Sequence, residues 1–173
     1  MKVFLLGLPG SGKTTLGKAL SIALRLPFVD LDSEIERQEG KKITEIFAEN
    51  GEAYFRNLES IELKKRCTSK AEFVMATGGG TPCFFDNMDW INRAGKSIFL
   101  DVPAREIVRR MERTSLLERP LLGSLPPEEV RNKIEQMRSE RIHFYQQAMI
   151  TLSGESITAE DVIKKMDPAV ENS

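Results

Sequence analysis

Short apolar runs alternate with longer amphipathic stretches along this chain. Val3 to Leu6 is an unbroken apolar run closed by Gly7, and Pro27-Phe28-Val29, Phe73 to Ala76, Ser97 to Leu100 and Ala148 to Leu152 repeat the pattern. A run of this length without polar alternation marks a strand buried on both faces, the condition of a parallel sheet covered by helices. Helix signals fill the intervals. Lys13 to Leu26 sets Leu16, Leu20, Ala23 and Leu24 on one face, and Pro27 ends it. Ser33-x-x-Glu36 has the form of a capping box, Pro126-Pro127 opens a helix running towards Gln147, and Thr158-x-x-Asp161 opens a last one. Strands alternating with helices predict βαβ units, hence an α/β fold with a parallel sheet and helices on both sides.

Two stretches depart from that rhythm. Asp32 to Thr68 reads as a helical, highly charged excursion. Arg113 to Pro127 collects Ser115, Pro120, Gly123, Ser124, Pro126 and Pro127, the composition of a surface loop. The chain has 173 residues, room for one domain with insertions and not for two. With 25 basic against 26 acidic residues the net charge is −1, so no overall field recruits nucleic acid or an anionic membrane, and any anion site must be local. Cys67 and Cys83 form neither a disulfide framework nor a C-x-x-C pair, and reduced thiols in a cytoplasmic protein are expected. The apolar run at Met1 to Leu6 is too short for a signal-peptide core or a membrane span.

Gly7-Leu8-Pro9-Gly10-Ser11-Gly12-Lys13-Thr14 satisfies G-x-x-x-x-G-K-[ST] at every position, with a buried strand before it and an amphipathic helix after it. That spacing wraps backbone N–H groups around an anion at a helix N-terminus. The lysine then reaches the β/γ-phosphates and the threonine hydroxyl is left for Mg²⁺. The rest of the chain narrows the use of the nucleotide. Asn132-Lys133-Ile134-Glu135 ends in Glu inside a helical pattern, so it is no guanine-reading N-K-x-D. The third strand ends in Ala76-Thr77-Gly78-Gly79-Gly80, without the acid a power-stroke ATPase places there.

Acids appear after the second strand, as Asp30-Leu31-Asp32. Strand alternation directs both carboxylates to the crevice where open α/β sheets bind ligands, one to hold Mg²⁺ through water and the other to accept a hydroxyl proton. The bland reading has Asp32 or Ser33 capping the next helix. Gly78-Gly79-Gly80 gives backbone N–H groups room to touch a ligand. Of 13 arginines, 8 fall between Arg105 and Arg141, either phosphate and carboxylate clamps or a solvated helix face. His143 reads as structural, and Cys83 as a small buried side chain bordering the glycine triplet.

Taken together, the chain resembles the shikimate kinases over nearly its whole length. The resemblance is carried by G-L-P-G-S-G-K-T-T at 7–15, F-V-D-L-D at 28–32, I-F-A-E-N-G-E-A-Y-F-R-N-L-E at 46–59, A-T-G-G-G at 76–80, E-R-P-L-L at 118–122 and R-I-H-F-Y at 141–145. It implies a single-domain, three-layer α/β/α P-loop kinase fold like the nucleoside-monophosphate kinases, with a central five-stranded parallel sheet. The core is expected at about 1–31, 69–112 and 127–166, a substrate-binding excursion at about 32–68 and a lid at about 113–126. The implied activity is ATP-dependent phosphorylation of the 3-hydroxyl of shikimate, with Mg²⁺, in aromatic amino-acid biosynthesis by a cytoplasmic monomer. A gluconate-type kinase and a nucleotide-binding module without transfer activity are the competing readings. By position the resemblance gives ATP to Gly10, Ser11, Gly12, Lys13, Thr14 and Thr15, with Arg110 against adenine. It gives Mg²⁺ to Thr14 and, through water, Asp30. Shikimate falls to Asp32 at its hydroxyls, Arg56 and Arg141 at its carboxylate, and Gly78, Gly79 and Gly80 at its ring face. Lys13, Asp32 and the lid residue Arg119 are the implied catalytic groups. No arginine falls in Ser153-Gly154-Glu155-Ser156, so the resemblance assigns no base contact there.

Overall fold

The computed structural model describes residues 1–115 and 126–167. Its elements, in chain order, are β1 (Lys2–Leu6), α1 (Lys13–Leu24), β2 (Phe28–Asp30), α2 (Leu31–Glu39), α3 (Ile43–Thr68), β3 (Phe73–Ala76), α4 (Asn87–Ala94), β4 (Lys96–Asp101), α5 (Ala104–Ser115), α6 (Pro127–Tyr145), β5 (Ile150–Ser153) and α7 (Ala159–Met166). A 3₁₀ turn, Thr81–Cys83, follows β3. The strands form one parallel sheet in the order β2-β3-β1-β4-β5, as the continuous apolar runs predict. β1 and β3 are buried almost throughout, because both flanks and both faces are covered. The chain leaves β1 towards β2 and leaves β3 towards β4, in opposite directions across the sheet. Right-handed crossovers in opposite directions place their helices on opposite faces. The reversal also opens a crevice at the carboxyl ends of β1 and β3, the usual ligand position in such sheets.

Local chemistry explains where elements end. α1 stops at Leu24 because Arg25 takes a left-handed conformation (φ 56°) and its N–H returns to the Ile22 carbonyl, two residues before Pro27. The buried face of α1 runs through Leu16, Gly17, Leu20 and Ser21, and Ala23, expected on it, is exposed. Gly17 is there because Phe28 packs against it; a Cβ would lie 2.5 Å from the Phe28 ring. The expected Ser33-x-x-Glu36 box does not form. Asp30 caps α2 by accepting from the Ser33 N–H at 3.2 Å, while Glu36 accepts from the Ile43 N–H at 3.0 Å and pins the start of α3. The Thr158–Asp161 box does form, Thr158 N–H to Asp161 at 2.8 Å and Asp161 N–H to Thr158 Oγ1 at 3.2 Å. α3 breaks at Gly51 (φ 81°, ψ 174°), a conformation open to glycine alone. α5 runs on to Ser115, into the stretch read as loop, and the rest of the expected lid, with Arg119, lies outside the described residues apart from Pro126. Among the described residues no helix is long and apolar enough to cross a membrane.

Candidate active site

The turn from β1 into α1 is built as a cradle. Gly10 and Gly12 stand at φ 81° and 92°, and the Ser11 N–H closes the turn onto the Leu8 carbonyl at 3.1 Å. The opening turn of α1 therefore presents N–H groups without helical acceptors to the cavity beside it. That cavity measures about 680 Å³ and is lined by Gly10, Ser11, Gly12, Lys13, Thr14, Thr15, Leu16 and Ala19, by Leu100 and Val102 from the end of β4, by Arg110 and Met111, and by Ser156 to Ala159. A phosphate-binding floor under a partly apolar hall suits a nucleotide. Ser11 Oγ is buried without a hydrogen-bond partner. Lys13 is buried too, and its ammonium donates to the Gly7 and Leu8 carbonyls at 2.8 and 2.9 Å. Burial lowers its pKa from 10.5 to about 8, against the nearby charges of Asp32 and Asp30.

The Thr14 hydroxyl donates to Asp30 Oδ2 at 3.0 Å. Two hard oxygen ligands at the rim of a phosphate cavity fit a magnesium ion that takes its remaining ligands from water and phosphate. No group of three or more His, Cys, Asp or Glu among the described residues offers a self-sufficient metal cage.

The two aspartates meet, but not by strand alternation. β2 ends at Asp30, and Asp32 belongs to the first turn of α2. Asp32 Oδ1 is buried and unpartnered, facing Gly78, where a Cβ would lie 3.1 Å from it. Burial raises the Asp32 pKa from 3.8 to about 6, and the charges of Glu59 and Asp30 add to this against Lys13 and Arg56. Glu59, fully buried on α3, accepts from Arg56 Nη1 at 2.8 Å and from the Thr81 hydroxyl at 2.5 Å. The sequence reading gave Glu59 no role; its spacing three residues after Arg56 was the available signal. Arg56 lies over the Phe84 ring at 4.4 Å and presses against Gly80, where a Cβ would lie 2.5 Å from Nη2. Its Nε and Nη2 meet the largely exposed Glu52 at 3.3 and 3.2 Å.

Arg141, on α6, reaches the same region, since its charge acts on Lys13, Cys83 and Tyr145. Cys83 is half-buried beside Arg141, Arg56 and Glu59, and burial pushes its thiol up to about 11, so it borders the site as a neutral group. Arg110 stands on the cavity wall, donating to the Ser11 carbonyl at 3.1 Å, the Glu155 carbonyl at 2.5 Å and Glu106 at 2.8 Å. Other members of the arginine cluster are occupied elsewhere: Arg105 with Glu155, Arg109 with Glu106, Arg131 with Glu135 and Arg138 with Asp101. Arg105 and Arg131 sit on solvated helix faces, as the bland reading has it, while Arg109 and Arg138 reach the less exposed carboxylates of Glu106 and Asp101. His143 is exposed against the Phe144 ring.

A family model described as "Shikimate kinase" matches residues 9–170. The shikimate kinase of Bacteroides fragilis is 44% identical over 151 residues, 86% of this chain and 82% of that one. Among solved structures, shikimate kinase from Bacteroides thetaiotaomicron superposes with a TM-score of 0.88 at 38% identity, covering 99% of this chain and 98% of that one. Shikimate kinase from Acinetobacter baumannii in complex with shikimate superposes at 0.82 and 32% identity, covering 99% and 94%.

Proposed function

The chain belongs to the shikimate kinase family and is a shikimate kinase, and on that premise we propose how its residues divide the transfer from ATP to the 3-hydroxyl of shikimate. The observation that carries the reading is Asp32 Oδ1, a buried, unpartnered carboxylate oxygen set between the phosphate loop and Arg56. A substrate hydroxyl donating to it satisfies an acceptor that is otherwise an orphan. Asp32 orients that hydroxyl and takes its proton. Lys13 leaves the loop carbonyls for the β/γ-phosphates, and the N–H groups of Gly10 and of Gly12 to Thr15 hold the remaining oxygens. Thr14 and, through water, Asp30 would hold a magnesium ion brought with ATP, which would supply neutralisation of phosphate charge. Arg110 flanks the base, and Arg119 is assigned, from the family motif, to reach the transferring phosphate. The charged excursion at about 32–68 and the segment at about 113–126 serve as acceptor-binding and lid units, and the chain works as a cytoplasmic monomer.

Arg56 and Arg141 receive the shikimate carboxylate, with Gly78 to Gly80 against the ring. A gluconate-type kinase shares the phosphate loop but has no use for two guanidinium groups converging on the acceptor side. Arg56→Lys and Arg141→Lys keep the charge and lose the planar fork. Each is expected to weaken shikimate binding by about 1.5 to 3 kcal/mol, the worth of a charge-assisted hydrogen bond, and ATP binding by far less. Calorimetric titration with each ligand separately checks this. Equal loss of both affinities contradicts the assignment.

A further inference from the structure

Tyr145 has no part in the roles assigned above, yet its side chain is fully buried and stands against the acceptor side of the site. Its ring stacks on Phe99 of β4, centroids 5.0 Å apart and planes 26° from parallel. Its hydroxyl donates to the Gly79 carbonyl at 2.5 Å. A phenylalanine would fill the same space and stack equally well, so packing does not explain the oxygen. What the oxygen touches does. Gly79 is the middle of the glycine turn and is held from its other side by Pro9 of the phosphate loop, where a Cβ would lie 2.7 Å from Cδ. Gly78 and Gly80 are pressed by Glu59 and Arg56. The Tyr145 hydroxyl is thus the one side-chain hydrogen bond described to this turn's backbone from α6.

Arg141 lies four residues earlier on α6, one turn away on the same helix face, close enough for its charge to act on the Tyr145 hydroxyl. A phenol has a single O–H to donate and lone pairs to accept with. With the proton committed to Gly79, the lone pairs are left for a cation. We propose that Tyr145 is a positioning residue for the acceptor site, its hydroxyl fixing the glycine turn and the Arg141 guanidinium in one mutual geometry so that both meet the substrate together. The inference rests on the reading of Arg141 and Gly78 to Gly80 as shikimate ligands. Core packing alone would make the hydroxyl matter for melting temperature and not for either substrate.

Tyr145→Phe, Arg141→Lys and the double variant test it, by steady-state KM for each substrate and by thermal melting. For Tyr145→Phe the expected result is a shikimate KM raised about tenfold, with an ATP KM within about twofold of the parent and kcat reduced less than KM is raised. If the tyrosine acts through Arg141, adding Tyr145→Phe to Arg141→Lys should raise the shikimate KM by less than about threefold further. An unchanged shikimate KM in Tyr145→Phe overturns the proposal, as does an equal rise in both KM values or full multiplicativity with Arg141→Lys. If Arg141→Lys itself leaves the shikimate KM unchanged, the site assignment falls and the proposal with it. If Arg141→Lys is impaired while Tyr145→Phe is normal, the proposal alone falls.

Discussion

Asp32→Asn is expected to slow phosphoryl transfer by about 10²- to 10⁴-fold, the range of a positioned acid–base group, while gaining stability on the parent chain as pH rises. The two effects have one origin. Asp32 Oδ1 is buried without a partner, beside Glu59 and Asp30, and its carboxyl is raised from 3.8 to about 6. The folded chain therefore holds this proton more tightly than the unfolded one does. The resulting penalty is absent below about pH 4, grows between the two values and is complete above about pH 6, where it amounts to about 3 kcal/mol. Asparagine has no such titration. Melting of parent and variant at pH 4 and pH 7 should show the difference moving in the variant's favour. The same carboxyl makes kcat/KM for shikimate rise through about pH 6 in the parent. A variant with unchanged kcat removes Asp32 from the chemistry, and a stability difference that does not move with pH removes the burial account.

Lys13→Ala is expected to reduce turnover by about 10³-fold or more with the fold intact. The ammonium is held by the Gly7 and Leu8 carbonyls, which leaves it in place for phosphate oxygens. Its depressed pKa of about 8 means the fold favours the neutral amine. The penalty of keeping it charged is present below about pH 8 and disappears as pH rises towards 10.5, so alanine at this position does not unfold the chain near neutrality. The charge is what the phosphates need, so kcat/KM for ATP in the parent should fall above about pH 8. Steady-state turnover with circular dichroism distinguishes lost chemistry from lost structure, and normal turnover of a folded Lys13→Ala chain contradicts the phosphate-loop assignment.

What could be read from the sequence was what local pattern determines. Unbroken apolar runs placed all five strands to within about two residues, and the loop from Gly7 to Thr14 announced the cradle between β1 and α1. The readings that failed lost either to a neighbouring cap or to a contact across the fold. Strand alternation was a reasonable account of Asp30 and Asp32 until α2 began at Leu31 and turned Asp32 into the crevice from a helix. Ser33 lost its capping role because α2 begins at Leu31 and is capped by Asp30, and Ala23 its place in the core because Phe28 and Leu5 pack against Gly17 and turn that face inward. Glu59 showed only its spacing after Arg56 and Tyr145 showed nothing, since the contacts that place them lie 22 and 66 positions away, at Thr81 and Gly79. The arginine cluster shows the same limit: composition marked it, but only the fold showed which carboxylates Arg105, Arg109, Arg131 and Arg138 pair with and that Arg110 stands on the cavity wall.

Shikimate is the acceptor, and the assigned residues select it by a ring-carboxylate clamp set against a phosphate loop. Coupled measurement of ADP release with Mg²⁺-ATP and shikimate, quinate or gluconate as acceptor tests it most directly. The account predicts saturable turnover with shikimate, with kcat/KM at least about 10²-fold above gluconate, because gluconate leaves the buried polar groups of the ring site imperfectly paired. Comparable turnover of gluconate, or ADP release that does not depend on shikimate, would contradict it.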